Sequence, residues 1–211
     1  RLVAGRVLVG TEHGLRVLDT SSLPWRINAV DPAADGHRVN SLVELDAQRV
    51  LVGMDRHGVA VLALTPEGEP AKMTRIPLDR ESEHGPRDEA FVTRLSNGEI
   101  LISRRSGLYR FDPDGGTATP HALQGLDQRR RPDELLRIVE STRRTLYAFS
   151  RSRVLRHDND SGWLEEPVAH LRRGAIESAV ALPDDGVALL STNSVLLRRS
   201  DAAALSPTEA P

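Results

Sequence analysis

The sequence predicts an all-β fold: a β-propeller section of about five four-stranded blades whose terminal blades are incomplete. Three observations predict it. One phrase, made of an aliphatic run, a small residue, a polar turn and a second apolar strand, recurs along the chain. Its copies lie about 41 to 50 residues apart, the span of a propeller blade. No long stretch keeps the 3.6-residue apolar period of a helix.

The first copy is the clearest. In Val7-Leu8-Val9-Gly10-Thr11-Glu12-His13-Gly14-Leu15-Arg16-Val17-Leu18-Asp19, two apolar strands flank a short polar turn, which is the pattern of a β-hairpin. Residues 50–53, 100–103, 146–150 and 187–191 repeat its first strand, with Gly53, Ser103, Ser150 and Ser191 aligned to Gly10. Residues 14–18, 58–64, 107–111, 153–157 and 195–199 supply the second. An inner strand precedes four of the hairpins, at 39–45, 91–95, 135–139 and 176–182. A more polar outer strand follows at 26–30, 72–77, 117–123 and 163–168. The blades then occupy roughly 1–30, 39–77, 90–123, 135–168 and 175–200, with a linker-like tail at 201–211. The first blade has no inner strand before Val7 and the last no outer strand after Arg199. That leaves two arrangements, a section of a larger ring or a five-bladed ring with an irregular closing blade. Residues 133–140 fit both a short helix begun by Pro132 and the inner strand of blade four, and the repeat register favours the strand.

Composition narrows the function. Net charge is -2, which argues against a protein that coats nucleic acid by bulk electrostatics. The chain has no cysteine, so neither a disulfide framework nor a thiolate metal site is available. No apolar run approaches the length of a bilayer span, and no signal-like segment opens the chain. Arg1 in place of an initiator Met suggests a processed product or a piece of a longer protein. Positive charge is almost entirely arginine, with Lys72 the only lysine, a bias that GC-rich bacterial coding explains without selection for guanidinium chemistry.

The phrase Gly10-Thr11-Glu12-His13-Gly14-Leu15, with Val17-Leu18-Asp19 after it, resembles the repeat of the two-component-regulator propellers, the sensor modules of bacterial regulators. Gly107-Leu108-Tyr109-Arg110-Phe111-Asp112 in the third copy keeps the Gly-Leu and the closing Phe-Asp. The resemblance implies a sensor part of a larger bacterial protein, in the periplasm, and covers the first and third copies best. No copy has the aromatic that precedes the Gly-Thr in that family. The citron-homology propeller opens with a similar hairpin. The absence of a Trp-Asp dipeptide disfavours WD40 repeats, and the loop position of Gly115-Gly116 disfavours kelch.

Within a propeller, the hairpin turns and the blade-to-blade connections share one face, the usual binding surface because loops there vary without disturbing the core. That face would carry Glu12, His13, Asp55, Arg56, His57, Arg104, Arg105, Arg151 and Asn193, with the connections 79–89 and 124–133. Arg129, Arg130 and Arg131 beside Arg104 and Arg105 form a candidate cup for carboxylate, sulfate or phosphate through paired guanidinium hydrogen bonds. The plainer reading is a solvated loop balanced by Asp127, Asp133 and Glu134. His13 and His57 hold matching turn positions and could share a metal or a proton, or simply tolerate unusual backbone angles. Residues 112–115 and 158–162 look superficially like calcium loops but lack the closing glutamate, and read as turns. There is no Gly-x-Ser-x-Gly elbow. Trp25, Trp163, Tyr109 and Tyr147 are expected to pack in the core or at blade edges.

The expectation is a non-catalytic ligand-binding or protein-interaction module, with no cofactor, no metal and no catalytic residue assigned. Its ligand would be an anionic small molecule, a glycan or an acidic protein surface. Further partners would be the rest of a longer propeller, or another chain completing the terminal blades. The alternatives are a propeller lyase or hydrolase acting on an anionic glycan or small molecule, and a structural scaffold in a larger assembly. Fold alone does not choose among them.

Overall fold

A computed structural model of the chain describes residues 2–3, 5–21, 23–30, 37–78, 89–131, 134–158, 160–167, 175–182, 186–191, 195–198 and 206–207. These residues form strands and turns, with no helix among them. Blade 1 comprises β1 (Leu2–Val3), β2 (Arg6–Thr11), β3 (Gly14–Asp19) and β4 (Arg26–Ala29). Blade 2 comprises β5 (Val39–Asp46), β6 (Arg49–Met54), β7 (Gly58–Leu64) and β8 (Pro70–Arg75). Blade 3 comprises β9 (Phe91–Arg94), β10 (Ile100–Arg104), β11 (Gly107–Asp112) and β12 (Thr117–His121). Blade 4 comprises β13 (Arg137–Glu140), β14 (Leu146–Phe149), β15 (Val154–Asp158) and β16 (Gly162–Glu166). Blade 5 comprises β17 (Ile176–Ala181), β18 (Val187–Ser191), β19 (Val195–Arg198) and β20 (Ser206–Pro207). Every blade is a four-stranded antiparallel sheet in chain order. No helix among the described residues is long and apolar enough to cross a membrane.

Three details differ from the sequence reading. Both terminal blades carry a fourth strand, each only two residues long: Leu2 pairs with Val7 and Val3 with Arg6, while Ser206 pairs with Leu197 and Pro207 with Leu196. Strands that short leave no apolar alternation to read, and Ser206-Pro207 lies inside the stretch expected to be a linker. Secondly, the repeat alignment slips by one residue in blades 4 and 5. In blade 1 Gly10 pairs with Leu15, and its counterparts by pairing are Phe149, opposite Val154, and Leu190, opposite Val195. A slip of one turns every side chain to the other face. Thirdly, Trp25 is exposed, whereas Trp163, Tyr109 and Tyr147 are buried as expected.

The chain divides into two compact units. Unit 1 holds blades 1 to 3, apart from the turn Leu95–Gly98. Its architecture follows from β6. Val50 and Val52 join Leu15 and Leu8 in one core cluster, and the intervening Leu51 joins Ile100 and Ile102 in another. A strand covered on both faces must be apolar at every position, which is why 50–52 is an unbroken aliphatic run. Leu51 and Val52 have no exposed surface, and burial of each contributes about 1.5 to 3 kcal/mol.

The small residue that ends the repeated strand has a steric cause. A Cβ on Gly10 would come within 2.7 Å of Val39 Cγ1, and one on Gly53 within 2.7 Å of both the Ala90 carbonyl oxygen and Ser41 Oγ. The backbone leading into the next blade passes there. Polar side chains tie the inner strands at the same level: Val92 N donates to Ser41 Oγ at 2.7 Å and Asn40 Nδ2 donates to Ala90 O at 3.3 Å.

Unit 2 holds blades 4 and 5 and residues 122–136. Tyr147, Phe149 and Val154 pack on Ile176, Val187 and Leu189. Its inner strands are bridged by the buried Arg137, which donates to the Ile176 and Glu177 carbonyls at 2.7 and 2.6 Å. The same guanidinium carbon lies 4.5 Å from the Phe149 ring centroid, so the buried charge is both hydrogen-bonded and stacked.

Candidate functional site

In unit 1 the candidate residues lie on the hairpin turns. His13 is exposed in a turn closed by Thr11, whose Oγ1 donates to Gly14 O at 2.7 Å and accepts from His13 N at 3.2 Å. In the two histidine turns the left-handed residues are Gly14 (φ 116°), Gly58 (φ 66°) and Arg56 (φ 65°), so unusual backbone angles fall on these residues and not on the histidines. Arg56 is exposed.

His57 has a different neighbour from the one its turn position suggested. Its Nε2 stands 2.6 Å from Nε2 of His37, with ring centroids 3.7 Å apart and planes at 77°. The contact joins the turn to the segment that enters β5, and Asp55 N donating to Arg38 O at 2.9 Å reinforces it. Burial, the His37 ring and the Arg75 charge, in that order, hold His57 below the ordinary histidine value. Among the described residues no group of three or more His, Cys, Asp or Glu side chains is arranged to hold a metal.

Arg104 ends β10 with its side chain buried, near enough to Gly58 that a Cβ there would lie 4.0 Å from its Nη2. Arg105 follows, half-buried, in the turn. Both belong to unit 1, and Arg129 to Arg131 to unit 2.

The arginine loop of unit 2 is built. Leu126 is buried, and Trp163 Nε1 donates to Gln124 O at 3.1 Å. From below, the loop is gripped by Arg153. Its Nη1 bonds Glu134 Oε2 at 2.8 Å and Arg129 O at 3.2 Å, while Nε and Nη2 fork onto Glu165 at 3.1 and 2.9 Å. Glu134, expected to balance the arginine triplet, is thus engaged by Arg153, and it also accepts from Arg131 N at 3.2 Å. Arg129 and Arg131 are exposed, and Arg130 is half-buried with its Nε donating to Glu134 O at 3.0 Å. Glu165 is held below the ordinary carboxylate range, first by the Arg153 hydrogen bonds and then by the charges of Arg153, Arg131 and Arg129.

Two features escaped sequence reasoning. Arg153 stands where the repeat has a turn glycine, and a charged residue in that slot is the one signal that could have revealed it. The second is a cleft of about 150 Å³ between blades 1 and 2, lined by Arg6, Leu8, Leu42, Glu44, Asp46 and Leu64 among others. It has no sequence signature, because its walls come from separate repeats. The calcium-like segments are turns: Asp112 Oδ1 accepts from Asp114 N at 3.0 Å, and Asp158 Oδ1 accepts from Asp160 N and Ser161 N at 3.1 and 2.9 Å. Asn193, Asp133 and residues 79–88 lie outside the described residues.

No family model matches the sequence, and no curated protein matches it. Solved structures match the fold. The extracellular domain of the one component system BT4673 from B. thetaiotaomicron superposes with a TM-score of 0.65 at 14% identity, over 98% of this chain and 27% of that one. YCF48 bound to D1 peptide, a β-propeller, gives a TM-score of 0.59 at 14% identity, over 96% and 64%. Puromycin hydrolase gives 0.58 at 12% identity, over 96% and 35%. This chain therefore spans about a quarter of the first structure's length. At such identities the fold is what is shared. The chain has the β-propeller fold, written in five four-stranded blades, and its structural likenesses include extracellular domains of bacterial one- and two-component systems.

Proposed function

We propose that this chain is a non-catalytic propeller module, the sensor part of a larger bacterial protein, which takes an anionic ligand on its arginine-bearing loops. The observation that carries the reading is the loop 124–131 of unit 2. It presents exposed Arg129 and Arg131 on a backbone pinned by Trp163 and Arg153, with the nearby Glu134 carboxylate engaged by Arg153. A preorganised cationic loop loses little conformational entropy on meeting a carboxylate, sulfate or phosphate. The ligand class is an anionic small molecule, a glycan or an acidic protein surface. The likeness to extracellular domains of bacterial regulators supports the sensor part of the reading. The reading includes partners at the terminal blades, the rest of a longer propeller or another chain. Because Arg104 is buried and Arg105 half-buried, the reading rests on the loop of unit 2 and not on that pair.

The test is calorimetric titration of the protein with a panel of polyanions, uronate oligosaccharides, sulfate and citrate at low salt. Arg129→Ala with Arg131→Ala is expected to weaken the best ligand at least about tenfold, the scale of one or two charge-assisted hydrogen bonds. Arg104→Ala with Arg105→Ala is expected to have the smaller effect. Affinity unchanged in both double variants refutes the proposal.

A further inference from the structure

Within unit 1, the face of blade 1 turned away from blade 2 is an uncovered copy of a face that is buried in blades 2 and 3. Cross-strand partners share a face, so Val7, Leu18 and Ile27 line up across β2, β3 and β4, and Val9, Arg16 and Ala29 form the next row. The opposite face carries Leu8 and Leu15 into the core shared with blade 2. Val7 and Val9 correspond in the repeat to Val50 and Val52, which are 7% and 0% exposed against blade 1. They correspond also to Ile100 and Ile102, at 1% and 0%, in the core shared by blades 2 and 3. On blade 1 the corresponding face is open within unit 1: Ile27 is 69% exposed and Val9 37%, with Val7 and Leu18 half-buried beside them. Exposed apolar residues occurring singly need no explanation, but a contiguous row of Val7, Leu18 and Ile27 with Val9 beside it does.

We infer that this face is the seat of a further four-stranded propeller blade, whose aliphatic face fills it as blade 1 fills the Val50 and Val52 face of blade 2, and that this blade belongs to the same polypeptide. Chemistry sets the occupant: within unit 1, what covers this row of positions is each time a neighbouring blade. Area sets the source. Four strands about 4.8 Å apart, each contributing about five residues at about 3.4 Å, give a face of roughly 300 Å². Two such faces bury roughly 600 Å², about half of what stable interfaces between separate molecules begin at. A blade joined by a short connection needs far less, since linkage supplies a millimolar effective concentration. The inference concerns a face distinct from the arginine loop and stands or falls independently of the proposed ligand.

The experiment compares the 211-residue chain with the same chain carrying the residues encoded immediately ahead of Arg1. The shorter chain is expected to sediment as a monomer and to enhance the fluorescence of an apolar dye. Val9→Glu with Ile27→Glu is expected to abolish most of that signal without lowering its Tm, because both side chains are exposed. In the extended chain the dye signal is expected to be lost and the Tm raised, and the same double variant is expected to lower the Tm. Three results overturn the inference: an encoded extension that forms no blade, an extended chain with unchanged dye binding, or a shorter chain that is a stable oligomer dissociated by the double variant. The last would make a second copy the occupant.

Discussion

Arg153→Met tests the claim that one buried guanidinium holds the arginine loop in place. The side chains of Arg153 and Glu134 are 8% and 9% exposed, so the pair is effectively out of water. Glu165, at 50%, is not. Losing Arg153 removes four hydrogen bonds, and their costs are unequal. Glu165 can turn to solvent, so its share is within about 1 kcal/mol. Glu134 cannot, and an ionised carboxylate left buried without its partner costs about 3 to 5 kcal/mol. The expected loss is therefore about 3 kcal/mol or more. At about 4 °C or more per kcal/mol for a unit of this size, Tm falls by about 12 °C or more. Urea and thermal denaturation followed by circular dichroism measure it, with Trp163 fluorescence reporting on the loop that its indole anchors. Arg153→Met combined with Glu134→Gln is expected to recover at least half of the loss, because the stranded charge is gone. Acid should show the same linkage. Glu165 is depressed in the folded protein, so its contribution is full above its unfolded value and is lost as pH falls through the folded one. That acid dependence should shrink in Arg153→Met. A loss below about 1 kcal/mol, or no recovery in the double variant, would refute the account of Arg153 as the loop's anchor.

Gly53→Ala is expected to cost about 1 to 3 kcal/mol by overpacking, because its Cβ would meet the Ala90 carbonyl, which is backbone and cannot rotate away; a neutral result in denaturant unfolding would mean that the blades part easily. Leu51→Ala should cost about 2 to 5 kcal/mol, since the side chain has no exposed surface, and a loss under 1 kcal/mol by the same assay would contradict the two-sided core. The His37–His57 contact predicts a pH dependence. One proton can bridge the two Nε2 atoms, but a second sets two N–H groups against each other 2.6 Å apart. With the folded value of His57 below the unfolded one, the unfolded chain takes up the proton first. Stability is then full above about pH 6.5 and declines as pH falls toward the folded value. His57→Gln should flatten the Tm profile between about pH 7 and 5, and identical profiles for the two proteins would rule the contact out as its source.

Local structure was legible wherever a residue's neighbours along the chain decide its state. The aliphatic run from Val7 to Val9, the Asp and Gly turns at 112–116 and the recurring hairpin phrase specify strands, turns and blade order, because β-rich aliphatic runs bounded by turn residues form strands and turns demand particular backbone angles. Even the small residue closing the phrase was visible, although its cause, the closeness of Val39 and Ala90, was not. Positions of lone residues were settled only by folding. His57 meets His37 rather than His13, Arg153 takes the carboxylate meant for the arginine triplet, and Trp25 lies outside the core while Trp163 lies within it. Each of those outcomes depends on groups about 20 or more residues apart in the chain, and no periodicity encodes such a distance. The sequence by itself determined the recurring hairpins and the order of the four-stranded units, since that information is local. Tertiary structure alone decided which blade faces are covered and which charges are paired, since burial and ion pairing depend on what another part of the chain brings to the same place.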